Sequence, residues 1–208
     1  HITQRTLTVG SWLVSSGVKA ITVACNTATV VAIRHLREQT HIAVVAIEPA
    51  LKPAALTTRS GVVGVLATTQ TLQSESVARL CQEHGEGKRI LLQACPGWVE
   101  AVEQADLHSA HTEVLLRQFV EPLMEQGVDT LVLGCTHYPF LREVIQQQVG
   151  PEGCAGGQQR LLLGTLDIPH QQRRPGGRVG GGAGALVDEG VEQAHWYGGR
   201  AWVEGGAG

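Results

Sequence analysis

Two of the five cysteines stand in one repeated setting. The segments GVKAITVACNT, Gly17 to Thr27, and GVDTLVLGCTH, Gly127 to His137, align at a constant offset of 110 positions. Each is a run of β-branched and aliphatic residues ending in cysteine, followed by small polar residues and then a helical pattern. A cysteine at the carboxyl end of a parallel strand lies where α/β proteins build their ligand sites, and the helix that follows biases a thiol towards thiolate. Two such groups, delivered from related halves, suit a nearly symmetric reaction. Racemisation is one: a thiolate removes a proton from one face of a tetrahedral carbon while a thiol returns one to the other, and reversal exchanges the roles. Asn26, Thr27 and Thr136, directly after the cysteines, offer amide, hydroxyl and helix-terminal N–H donors to a substrate carboxylate. His137 is placed to orient or poise the second thiol. A weaker third copy, Gly61 to Thr69, ends in threonine, Thr68 and Thr69, where the others have cysteine.

Other chemistries find less support. Cys25, Cys81, Cys95, Cys135 and Cys154 are odd in number and form no C-x-x-C pair, so neither a disulfide framework nor a zinc module is expected. Cys95 precedes Pro96 and reads as core, Cys81 as a helix bystander and Cys154 as part of the tail. Among the histidines only His108 and His111 share a close helical spacing, read as a solvated helix start. No metal is expected. A cysteine hydrolase would need a base beside one thiol and gives no reason for the second.

These residues need a sheet to hold them. Strands are expected at 19–24, 43–47, 62–67, 89–94 and 130–134, alternating with helices at 29–38, 69–83, 109–126 and 138–149. That alternation predicts an α/β fold of two pseudo-symmetric parallel-sheet βα halves, with the active site in the cleft between them. Residues 1–50 are expected to belong to the first half, as its remainder, and 51–149 to the second, with an approximate boundary and a chain that can return to the first half at its end. Trp12 and Trp98 are expected to pack in the core.

Net charge of -3, a sequence pI near 6.3 and 17% charged residues leave no footprint for nucleic acid or anionic lipid. No apolar run approaches the roughly 20 residues that a helical membrane span needs, and no signal peptide is visible at His1. A reducing, cytoplasmic setting is expected. Glycine is unevenly spread: 17 of the 26 fall in 150–208. That stretch reads as a disordered or low-complexity tail, or as sequence translated out of frame.

The motifs are also specific to a family. Ala24 to Thr29 (ACNTAT) and Gly134 to Pro139 (GCTHYP) resemble the two signature motifs of bacterial glutamate racemase, in the aspartate/glutamate racemase superfamily. The pattern Gly64, Ala67, Thr68, Thr71, Ser74 is similar to that family's third substrate loop. Cys95, Pro96, Val99, Val102 and Glu103 are similar to its glutamate-bearing segment. The resemblance covers 1–149 and implies a cofactor-independent isomerase with Cys25 and Cys135 as the two acid/base groups. It further implies that Asn26, Thr27, Thr136 and His137 bind the amino acid, that Thr68 and Thr71 assist, and that Glu103 is a polar group near His137. D-Glutamate for peptidoglycan, a cytoplasmic location and a homodimer are implied too.

Against the family pattern, a first strand with its aspartate-serine loop and a Pro-Tyr-Gly loop would precede His1, and the tail replaces the closing elements. The expectation is that this chain is weakly active or inactive. Two other readings stay open: racemisation of aspartate or a related amino acid, and a catalytically silent protein that binds DNA gyrase.

Overall fold

The computed structural model describes residues 1–150 and four short strands beyond them, at 160–162, 165–167, 194–197 and 200–203. Two compact units divide the chain: His1–Glu48 with Gly164–Gly208, and Pro49–Leu163.

In the first unit, helix α1 (Ile2–Ser15) leads to strand β1 (Ala20–Val23), helix α2 (Asn26–Glu38) and strand β2 (Ala43–Glu48). β1 and β2 are parallel, from Ala20 beside Ala43 to Val23 beside Ala46. The burial of β1 alternates, Ile21 and Val23 inward, as a two-residue period requires. α2 covers them with Thr29, Ala32 and Leu36, spaced to share one helical face. Arg37 closes the unit by donating to the Val44 carbonyl at 3.2 Å. α1 reaches α2 at Gly10, where a Cβ would stand 2.3 Å from Leu36 Cδ1. Only glycine permits that approach. The first sheet runs β1-β2-β7-β8-β9, with β7 (Thr165–Asp167), β8 (Ala194–Tyr197) and β9 (Arg200–Val203) antiparallel to their neighbours.

The second unit is a parallel sheet in the order β4-β3-β5-β6, formed by β3 (Val62–Ala67), β4 (Arg89–Ala94), β5 (Thr130–Leu133) and β6 (Arg160–Leu162). Its two faces carry separate cores, as alternation dictates. Val63, Val65 and Val132 meet α3 (Leu51–Thr57) and α5 (Glu75–His84) on one side. Leu66, Leu131 and Leu133 meet α6 (Trp98–Glu103), α7 (Ala110–Glu125) and α8 (Arg142–Val149) on the other. Gly64 lets α7 close down, because a Cβ there would lie 2.8 Å from Leu131 and 3.1 Å from Leu123. Asp129 staples the start of β5 to the turn before β3: it accepts from Thr58 Oγ1 at 2.6 Å, from the Arg59 and Ser60 amides at 2.7 Å, and from Thr130 Oγ1 at 2.9 Å. Burial pushes the Asp129 carboxyl up, but the bonds from Thr58, Ser60, Arg59 and Thr130 outweigh it and hold the group below its ordinary value.

Several sequence expectations need adjusting. The helix expected at 69–83 is two, α4 (Thr69–Leu72) and α5, because Ser74 stops the first by donating to the Thr71 carbonyl at 2.7 Å and caps the second by accepting from Val77 N at 3.2 Å. The helix expected at 138–149 opens with a 3₁₀ turn, Tyr138–Leu141. α1, α3 and α6 were not foreseen; α3 and α6 are only 7 and 6 residues long, too short to show a period. Trp12 is not a core residue: it is 64% exposed, on the side of α1 away from α2. Trp98 is fully buried. The reading of the glycine-rich tail lies mostly outside the described residues.

Candidate active site

Strands β3, β4 and β5 all point their carboxyl ends to one edge of the second sheet, and the candidate residues follow directly. Gly134 donates to the Leu66 carbonyl at 2.8 Å, and a Cβ at this position would press to 3.0 Å from Ala67 Cβ. The chain therefore turns tightly off β5 and leaves Cys135 at the edge, 7% exposed. Cys135 Sγ lies 3.8 Å from His137 Nδ1, and His137 Nε2 lies 2.6 Å from Glu103 Oε1 at the end of α6. An ionised carboxylate can only accept, so Nε2 carries the proton that faces Glu103. Nδ1 then presents a lone pair to the thiol, or an N–H to the thiolate. The arrangement Cys135, His137, Glu103 has the donor and acceptor order that can carry a proton off sulfur to an imidazole backed by a carboxylate. Its outer end is open to water: His137 is 34% and Glu103 67% exposed. Val102, Leu107, Thr136 and Phe140 join His137 and Glu103 around an open depression of about 530 Å³.

Two further groups share this edge. Thr68 follows β3 and caps α4, accepting from Thr71 N at 3.3 Å; the two hydroxyls are 2.9 Å apart. Cys95 follows β4, its N–H donating to the Ala67 carbonyl at 3.1 Å. Burial pushes the Cys95 thiol up and the nearby Cys135 adds to this, outweighing the backbone bond at Ala67, so it remains protonated in the core. Tyr138, fully buried, was missed by sequence reasoning. Its N–H donates to the Cys135 carbonyl at 3.1 Å and its hydroxyl to the Cys95 carbonyl at 3.3 Å. The sequence offered it only as a member of the GCTHYP motif beside the site histidine, with no role attached.

The remaining candidates belong to the first unit. Cys25 follows β1 and is the N-cap of α2, in extended backbone (φ -154°, ψ 118°), with Sγ accepting from Ala28 N at 3.5 Å. Asn26 and Thr29, in the first turn, are 2% and 1% exposed, and Asn26 Oδ1 and Thr29 Oγ1 have no hydrogen-bond partner among the described residues. A buried acceptor left unbonded costs about 1–3 kcal/mol. Thr27 follows, half-buried. Thus Cys135, His137 and Glu103 are brought together, Thr68 pairs with Thr71, and Cys25, Asn26 and Thr27 form a separate group.

The fold and site define a class: an α/β protein with a cysteine ending a parallel strand in each of two units, one of them backed by an imidazole and a carboxylate. Comparison with known proteins narrows this. Residues 4–158 match the model of the family described as Asp/Glu/Hydantoin racemase, and the chain belongs to that family. It is 52% identical over 152 residues to a glutamate racemase of Methylococcus capsulatus, an alignment covering 73% of this chain and 56% of the relative. It is 50% identical over 178 residues to that of Ralstonia nicotianae, covering 86% and 61%. The chain thus spans less than two thirds of these relatives' length. Among solved structures it is similar to Escherichia coli glutamate racemase in complex with L-glutamate and the activator UDP-MurNAc-ala, with TM-score 0.67 and 32% identity over 78% of this chain and 60% of that one.

Proposed function

We propose that this chain carries the catalytic residues of a glutamate racemase that interconverts L- and D-glutamate without a cofactor. The observation that carries the reading is the Cys135–His137–Glu103 line at the end of β5 in the second unit; the first unit carries a second strand-end cysteine, Cys25, that caps α2. Each thiol serves one enantiomer. The thiolate of one takes the α-proton while the thiol of the other delivers a proton to the opposite face, so a turnover leaves the pair with its protonation exchanged. His137 and Glu103 supply the counter-charge that Cys135 needs as thiolate. Cys25 relies on the N–H groups of the α2 terminus. Buried, unbonded Asn26 Oδ1 and Thr29 Oγ1 support a polar ligand near Cys25, because an amino acid's ammonium can supply the missing donor. Thr68, Thr71, Thr136 and Thr27 are assigned to binding and orienting the substrate.

Glutamate rather than aspartate is favoured by the similarity to glutamate racemases of two organisms at 50% identity or more. The role that follows is supply of D-glutamate for peptidoglycan in the bacterial cytoplasm, by a protein that works as a homodimer. Racemisation of L-glutamate, L-aspartate and close homologues, followed by circular dichroism with wild type and the Cys25→Ala and Cys135→Ala variants, tests the reading. Turnover by this chain is expected to be weak, fastest with glutamate, and stopped by either variant. Turnover that survives in either variant removes the two-thiol assignment, and faster turnover of aspartate removes the substrate.

A further inference from the structure

We propose that Tyr138 is a positioning residue that sets the spacing of the Cys135–His137–Glu103 line. The need for one follows from topology. Cys135 and His137 ride on the loop after β5, whereas Glu103 rides on α6, which is reached from β4. In the sheet order β4-β3-β5-β6 those two strands are not neighbours, so no ladder bond joins the two loops directly; each is tied only to β3 between them, Gly134 to Leu66 and Cys95 to Ala67. Yet the His137–Glu103 contact is held at 2.6 Å. Tyr138 touches both sides. Its backbone N–H is bonded to the Cys135 carbonyl. Its ring stands edge-on to Trp98, the first residue of α6, with centroids 4.9 Å apart and planes at 66°. Its hydroxyl donates to the carbonyl of Cys95, which also receives the Trp98 N–H at 3.4 Å. Trp98 is fixed from behind by Phe119 of α7, at 6.3 Å between centroids. One side chain therefore ties the Cys135 turn to the turn that launches α6. Burial, then the nearby Cys95, Cys135 and Glu100, push the ionisation of Tyr138 well up, so it stays a neutral donor.

The inference rests on Cys135 being a reacting thiol, but its test needs no substrate. Among the described residues, His137 on its own loop, Cys95 after β4 and Tyr138 face Cys135, with Glu103 behind His137 and Glu100 near Tyr138. Alkylation by iodoacetamide is followed against pH in the intact chain, with each cysteine resolved by peptide mass mapping, for wild type, Tyr138→Phe, Glu103→Gln and the double variant. Glu103→Gln removes the charge behind His137 and is expected to raise the midpoint for Cys135. Tyr138→Phe is expected to raise it by about half a pH unit, roughly a threefold loss of thiolate near neutrality. The double variant should go no higher than Glu103→Gln alone, while Cys25 and Cys81 keep their profiles. A lowered melting temperature with an unmoved midpoint would mean a structural role only and overturn the proposal. So would a Tyr138→Phe shift that adds in full to that of Glu103→Gln. If Tyr138→Phe does not fold, Trp98→Phe, which keeps an aromatic edge contact, is expected to shift the midpoint in the same direction by less. A folded Trp98→Phe with the wild-type profile also overturns it.

Discussion

The two cysteines that end β1 and β5 come from nearly the same sequence and sit in different surroundings. Cys135 is buried and faces an imidazole backed by a carboxylate; Cys25 is half-buried and has a backbone amide as its partner. A repeated strand and helix can thus place a thiol twice, while the groups that control it come from different sources. In one unit the neighbours of the sulfur are side chains on two separate segments. In the other the neighbour is an amide of the helix terminus itself.

Replacing either sulfur should have the largest effect. Cys25→Ala and Cys135→Ala are each expected to lower kcat for glutamate by about 10³-fold or more, because acid and base are both required; a steady-state assay in both directions checks this. Glu103→Gln should cost less, about 10²-fold in kcat with little change in KM. It separates the two surroundings, since Cys135 alkylation should slow while Cys25 alkylation stays as in wild type. An equal effect on both thiols would end the distinction.

The scaffolds can be separated by stability in the same way. Asp129→Asn leaves amides and hydroxyls facing a neutral side chain and is expected to destabilise the second unit by about 2–3 kcal/mol. Because the folded carboxyl is held below its ordinary value, its contribution is complete above the unfolded value of about pH 4 and is lost as pH falls through the folded one. The variant should therefore lose stability at neutral pH and little in strong acid, as read by denaturant midpoints across pH. Gly10→Ala, which drives a methyl into Leu36, is expected to cost about 1–2 kcal/mol in the first unit. Hydrogen exchange should register it in α1 and α2 and not in β3 to β5.

Much of this was legible in the sequence. The five strands lie where the β-branched runs are, and the 110-residue repeat located both cysteines before any coordinates. The signal is strongest for β3 and β5, because a parallel strand buried on both faces needs a continuous apolar run. What stayed hidden depends on distant partners. α1 has a narrow buried face around Gly10, which reads as no pattern at all, and this also left Trp12 exposed. The 2.6 Å His137–Glu103 bond joins residues 34 apart, and the Tyr138–Cys95 bond residues 43 apart. Spacing along the chain cannot announce either. Glu103 entered through resemblance to a family, and Tyr138, quoted there only as part of the GCTHYP motif, gained a role through its burial and its bonds.

The most direct test of the two-thiol account is the fate of the α-hydrogen in D₂O. L-Glutamate is incubated with the protein, and both enantiomers are separated at low conversion and weighed by mass spectrometry. With one thiol on each face, newly formed D-glutamate should carry deuterium at the α-carbon while unreacted L-glutamate keeps its proton. The reverse experiment from D-glutamate should give the mirror result. Product that retains the original proton, or substrate that gains deuterium before it racemises, would mean that a single base serves both faces and would contradict the account.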